Sequence, residues 1–306
     1  MNSFIRFLRD FAMGSRMDMQ VVALPDGRQL GYCSVGQGRP VVYFHGTASS
    51  RLEALLLKDM AQTAGLQLVG IDRPGYGLSS YRKLRSLSDF NSDVTFLADQ
   101  LGFEPFSVLG WSGGGAFALA YTAQNSQRVT KAVVADAPFL PFDVSMAHDF
   151  PFSKYLMKIP YAGYFAIHQL RRQVLKANGN IPAFLKSKQA KQLLRGYTES
   201  DLELFSDPAW AALMYQSMAE AFRQKDGVRA VVGEHMLFLK DWGFPVGSTP
   251  AEKLVVWHGK DDKTIGVQNG VALAGLVAGC RLEVFEGKGH CAMFHYPDKL
   301  AGVLLE

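Results

Sequence analysis

What this 306-residue chain lacks narrows its class first. Cysteine is scarce: Cys33, Cys280 and Cys291 are widely spaced, odd in number and form no CxxC pair. Neither a disulfide framework nor a structural zinc site follows. A reducing compartment is the default expectation, which points to a cytoplasmic protein. An excess of one charge is also missing. Lys and Arg number 32 against 28 Asp and Glu, and the basic residues run no longer than pairs such as Arg82-Lys83 and Arg171-Arg172. That argues against nucleic acid as a partner. No stretch approaches the roughly 20 apolar residues that span a bilayer. Repeats and low-complexity segments are absent. No G-x-G-x-x-G opens a helix, and Gly259-Lys260 lacks the first glycine of a P-loop, so nucleotide binding is disfavoured.

What remains is an ordinary globular composition, 48% apolar and 20% charged, enough for one large domain or a domain with an insertion. At the N-terminus Phe4, Phe7, Leu8, Phe11 and Ala12 recur at helical spacing, with Arg6, Arg9 and Asp10 between them. A secretory signal needs an unbroken apolar core of about 7–15 residues, and these charges break it. Residues 1–18 therefore read as a short amphipathic helix packed on its own domain. Contact with a membrane, a dimer partner or the mouth of a site is less favoured.

Beyond that segment, apolar runs alternate with helical patterns, which predicts βαβ units and a parallel sheet. Val21–Leu24 and Gln29–Val35 flank the turn Pro25-Asp26-Gly27 and read as a hairpin. Strands are expected at Pro40–Phe44, Leu66–Ile71, Phe106–Leu109 and Val129–Ala135, with helices at Ser50–Ala64, Leu87–Leu101 and Gly113–Gln124. Ser50-Arg51-Leu52-Glu53 has capping-box spacing, and Ser88 is the expected N-cap of the next helix. From about Pro138 to Pro250 the rhythm breaks into a helical segment rich in aromatics and methionine, including Phe139, Tyr161, Phe165, Trp210, Met214, Tyr215 and Phe222. Strand and helix alternation resumes at Leu254–Trp257 and ends with a helix from about Asp298. The expected organisation is an α/β core at 19–137 and 251–306, interrupted by a helical unit at 138–250.

Gly110-Trp111-Ser112-Gly113-Gly114 follows an apolar strand and opens a helix, the context that G-x-S-x-G requires. A serine on so sharp a turn takes strained dihedrals, and glycines on either side let backbones approach. The hydroxyl then stands at a helix N-terminus, where the dipole favours developing negative charge. After later strands come His258-Gly259-Lys260-Asp261-Asp262 and Gly287-Lys288-Gly289-His290. Catalytic groups gather at strand ends in open parallel sheets.

These motifs resemble the α/β-hydrolase family, over nearly the whole chain from about residue 20. The resemblance implies the order serine, acid, histidine: Ser112 as nucleophile, Asp262 as acid and His290 as base. Asp261 and Asp136 are the competing acids; His45 and His258 are expected to make structural hydrogen bonds. It also implies an oxyanion hole from the amides of Gly113 and, in the His45-Gly46-Thr47 loop, Thr47. The loop departs from the HGGG pattern of one lipase and esterase group. Asp72-Arg73-Pro74-Gly75-Tyr76-Gly77-Leu78-Ser79 resembles the family's D-R-P-G-x-G-x-S loop, here a rigid support for the oxyanion loop. The helical segment resembles the family's cap, whose apolar content suits a small-molecule substrate with an apolar part. No metal and no diffusible cofactor are implied. A carboxylic ester is the expected substrate. A lactone, thioester, amide or carbon–carbon bond, acyl transfer, or a hydrolase-like receptor are the alternatives.

Overall fold

The computed structural model describes residues 20–139 and 161–306. The N-terminal amphipathic segment and part of the aromatic- and Met-rich stretch, with Phe142, Phe150, Phe152, Tyr155 and Met157, lie outside the described residues. Eight strands form one sheet: β1 (Gln20–Ala23), β2 (Gln29–Gly36), β3 (Arg39–Phe44), β4 (Leu66–Ile71), β5 (Phe106–Trp111), β6 (Val129–Ala135), β7 (Leu254–Gly259) and β8 (Arg281–Phe285). Their order is β1-β2-β4-β3-β5-β6-β7-β8; β2 runs antiparallel to β1 and β4, and the rest of the sheet is parallel.

The central strands β3 to β7 read as mainly apolar runs because both faces of the sheet are covered there. Along β3, Val42 and Phe44 enter one core layer while Val41 and Tyr43 enter the other. β7 divides the same way, Leu254 and Val256 against Val255 and Trp257. The covering helices are α1 (Lys58–Ala64), α2 (Asn91–Gln100) and α3 (Gly113–Gln124). Between β6 and β7 the described residues are helical: α4 (Ala162–Ala177), α5 (Ile181–Leu185), α6 (Lys188–Leu193), α7 (Glu199–Leu204), α8 (Pro208–Ala221) and α9 (Gly227–Phe238). α10 (Gln268–Leu276) and α11 (Pro297–Leu305) complete the chain. No described helix is long and apolar enough to cross a membrane.

One expected cap is not formed, and another forms only in part. Ser88 lies inside a 3₁₀ turn, Leu87–Phe90, that precedes α2, and its hydroxyl is buried without a partner among the described residues. Ser50 accepts from the Leu52 amide, but Glu53 does not reach back to complete the box. Its carboxylate turns inward to Tyr43 and Gly46 instead. A tertiary pair of donors outcompetes the local one.

Candidate active site

β5 is buried along its whole length and delivers the chain to Ser112 at φ 52°, ψ −130°. The Ser112 amide donates to Ala135 O at 2.9 Å, and its carbonyl accepts from the Gly115 amide at 2.9 Å, so neighbours on both sides hold the strained turn. The turn tolerates nothing larger than glycine around it. A Cβ on Gly110 would lie 2.5 Å from Gly114 O, and one on Gly114 would lie 2.0 Å from Phe44 O.

The structure brings Ser112, His290 and Asp262 together from three separate loops. His290 Nε2 is 2.9 Å from Ser112 Oγ, and His290 Nδ1 is 2.8 Å from Asp262 Oδ2. Asp262 Oδ1 accepts from the Thr264 and Ile265 amides at 2.7 and 2.9 Å, which fixes its plane. A carboxylate cannot donate, so Nδ1 carries the proton and Nε2 is left to accept from the serine hydroxyl. Burial alone would lower the His290 pKa, but the Asp262 carboxylate beside it more than offsets this and raises it above the ordinary histidine value. Burial likewise pushes Asp262 upward, yet His290 and His258 pull it down to about 2.

The competing aspartates are placed elsewhere. Asp261 is exposed. Asp136 is buried at φ 48° and accepts from the Gly259 amide at 2.8 Å, while its other oxygen has no partner among the described residues. Burial and the nearby Asp262 charge push the Asp136 pKa well up. Asp136, His258 and Asp262 have ligand-type atoms within 4.8 Å of one another. Each already has a partner: Asp262 holds His290, His258 Nε2–H donates to Ile265 O at 2.7 Å, and Asp136 Oδ1 takes the Gly259 amide. His45 is structural as well, with Nδ1–H donating to Gly46 O at 2.7 Å and burial holding its pKa well below the ordinary value.

Thr47 and Gly113 face each other: a Cβ on Gly113 would lie 2.1 Å from Thr47 Oγ1. Gly113 begins α3, so its amide has no acceptor within the helix. The loop carrying Thr47 is clamped from several directions. The Gly46 amide donates to Glu53 Oε1 at 2.7 Å, which also accepts from Tyr43 Oη at 2.7 Å. The fully buried Arg73 guanidinium donates to the carbonyls of His45 and Gly46 and to Glu234 on α9. Glu234 also accepts from Tyr76 Oη at 2.8 Å. The D-R-P-G loop thus supports the Thr47 loop as expected, whereas Glu53, Glu234 and the Trp111 Nε1–H donated to His290 O at 2.7 Å were not foreseen. Glu53 was hidden by its capping-box spacing. Glu234 had no local signal at all.

A cavity of about 170 Å³ opens over Ser112 and His290. Its walls are largely apolar, with Ile167, Leu170, Phe184, Met214, Met218 and Phe238 from the helices between β6 and β7 or their flanks. Among the described residues no Lys or Arg lines it. Of the aromatic residues singled out in the sequence, Tyr215 lines the cavity, Phe222 is buried in packing, and Tyr161 and Phe165 are exposed.

A family model for the alpha/beta hydrolase fold matches residues 39–296, and the chain belongs to that family. Among curated proteins it is similar to the 2-hydroxy-6-oxononadienedioate/2-hydroxy-6-oxononatrienedioate hydrolase 1 of Pseudomonas putida, 25% identical over 295 residues and 90% of each chain. The hydrolase of the same description from Escherichia coli K12 is 25% identical over 276 residues, covering 88% of this chain and 87% of the relative. Among solved structures, the esterase from Exiguobacterium antarcticum superposes with a TM-score of 0.61 at 20% identity, over 94% of this chain and 97% of that one. The enol-lactonase from Burkholderia xenovorans LB400 gives 0.63 at 16%, over 94% and 100%. Hydrolase chemistry is what this family membership supports.

Proposed function

We propose that this protein is a serine hydrolase that cleaves a carboxylic ester of a small to medium, partly apolar substrate. The observation that carries this reading is the hydrogen-bonded series Ser112–His290–Asp262 at the floor of an apolar cavity. In this reading Ser112 Oγ attacks the ester carbonyl while its proton passes to His290 Nε2. The Thr47 and Gly113 amides hold the oxyanion. The carbon–oxygen bond to the alcohol breaks, and the alcohol leaves with the proton from His290. Water, deprotonated by His290, then attacks the acyl-serine; the acid is released and Ser112 regains its proton. The helices between β6 and β7 act as a cap that shapes the acyl pocket. No metal or diffusible cofactor enters.

A second reading is hydrolysis of a carbon–carbon bond in an oxo acid, favoured by the curated relatives, whose names specify a hydroxy-oxo dicarboxylate. Against it, a dicarboxylate would meet no cationic side chain among the described residues of the cavity. The test is steady-state hydrolysis of p-nitrophenyl esters from acetate to laurate, wild type beside Ser112→Ala, with a 2-hydroxy-6-oxo-dienedioate run in parallel. Ester turnover that vanishes in the variant supports the ester reading. Ester turnover that survives in it removes Ser112 as nucleophile. Turnover of the dienedioate alone favours the second reading.

A further inference from the structure

The helices between β6 and β7 do more than line the cavity: one of them reaches the backbone of the histidine. Asp201, on α7, is fully buried. Its Oδ1 accepts from the Cys291 amide at 2.7 Å, and its Oδ2 accepts from the His290 amide at 3.1 Å. The same carboxylate closes a capping box with Thr198, taking the Thr198 amide at 2.8 Å. The fit is tight: a Cβ on Gly289 would lie 2.0 Å from Asp201 Oδ2 and 2.4 Å from Thr198 Oγ1. The turn before His290 therefore has to be glycine if this carboxylate is to reach the backbone.

We propose that Asp201 is a positioning residue for His290, a carboxylate supplied by the helical insertion that sets the backbone of the histidine loop and adds a second negative charge beside the imidazole. This rests on the serine-hydrolase reading above. Two backbone N–H groups accepted by one carboxylate fix where the histidine Cα sits, and Trp111 fixes the His290 carbonyl from the opposite element. The 2.9 Å spacing to Ser112 then depends on the seating of α7 as well as on the sheet. The charge matters separately. His290 is faced by Asp262 from the loop after β7, Asp201 and Tyr197 from the insertion, Glu53 from the turn after β3, and Cys291 in its own loop. Burial pushes the Tyr197 hydroxyl and the Cys291 thiol well up, so both stay neutral. After Asp262, Asp201 is the carboxylate that most raises the His290 pKa.

The test is the second-order rate at which a fluorophosphonate labels Ser112, measured from mildly acidic to mildly basic pH on the full chain. Three proteins are compared: wild type, Asp201→Asn and Thr198→Val. Asp201→Asn removes the charge and presents an amide N–H₂ to backbone donors; Thr198→Val removes the capping hydroxyl but keeps the carboxylate on His290. The expected result is a plateau rate about 10- to 100-fold lower in Asp201→Asn, with the midpoint of its acid limb moved to lower pH. The midpoint of Thr198→Val stays at the wild-type value. Wild-type rate and midpoint in Asp201→Asn, or equal shifts in both variants, overturn the inference and leave Asp201 as a helix cap. If Asp201→Asn lacks a cooperative unfolding transition, Gly289→Ala carries the test, because its methyl displaces the carboxylate without removing it. Lower rate and midpoint there support the inference, and unchanged values overturn it. A wild type that the probe does not label overturns the serine-hydrolase reading itself, a result distinct from a labelled wild type with an unmoved variant.

Discussion

Ser112 sits at φ 52°, ψ −130°, a conformation that costs a non-glycine residue about 1–3 kcal/mol. This turn lifts a hydroxyl to the N-terminus of α3 within 2.9 Å of His290. Ser112→Gly is therefore expected to raise stability by about 1 kcal/mol while abolishing ester turnover; chemical denaturation beside the p-nitrophenyl assay checks both. In the serine-hydrolase reading, Asp262→Asn removes the acceptor that holds the His290 Nδ1 proton, so kcat should fall by about 10⁴-fold. Asp261→Asn, on the exposed neighbour, should change it little; comparable losses in the two variants would contradict the assignment. The pH profile follows from His290. In the same reading the base works only when neutral, and the His290 pKa is raised, so activity should fall as pH drops through a midpoint above the ordinary histidine value. A profile of kcat/KM against pH with its acid midpoint below that value would count against His290 as the base.

At the scale of elements, the core strands were legible because each is an apolar run closed by a turn signal; β4, β6 and α3 fall where the sequence places them, at Leu66–Ile71, Val129–Ala135 and Gly113–Gln124. The helix starts were less legible. Ser88 and Glu53 both have the right type and spacing for capping, but a cap is a local preference of about 1 kcal/mol. Glu53 is claimed by Gly46 and Tyr43, on the strand and loop that precede its own turn. What fastens α9 to the Thr47 loop is the buried Arg73–Glu234 pair. Replacing Glu234 with Ala leaves the Arg73 charge buried without its carboxylate, and global stability should drop by about 3–5 kcal/mol. Denaturant unfolding of the variant measures this, and a loss under about 1 kcal/mol would mean Arg73 finds another partner.

At the scale of the molecule, the proposed function makes the cavity the selector of substrate. Its volume of about 170 Å³ is close to that of an engineered apolar cavity that holds one benzene. Short-chain or single-ring esters should outperform long ones, so kcat/KM should fall between butyrate and laurate. Leu170→Ala, which trims the wall, should move the optimum toward longer chains; an unchanged profile would place the acyl group elsewhere. The sequence by itself determined the parallel sheet and the serine turn, because both are written in short-range patterns: apolar runs with a period, and glycines at fixed offsets from Ser112. Through the family resemblance it also singled out Asp262 as the acid ahead of Asp261 and Asp136. Only the tertiary structure put the Asp262 carboxylate on the His290 ring and carried Asp201, Glu53 and Glu234 to the histidine and Thr47 loops. The Asp201 and Glu234 contacts join residues far apart in the chain, where the choice rests on which donors a buried carboxylate can reach, and no local pattern encodes that distance.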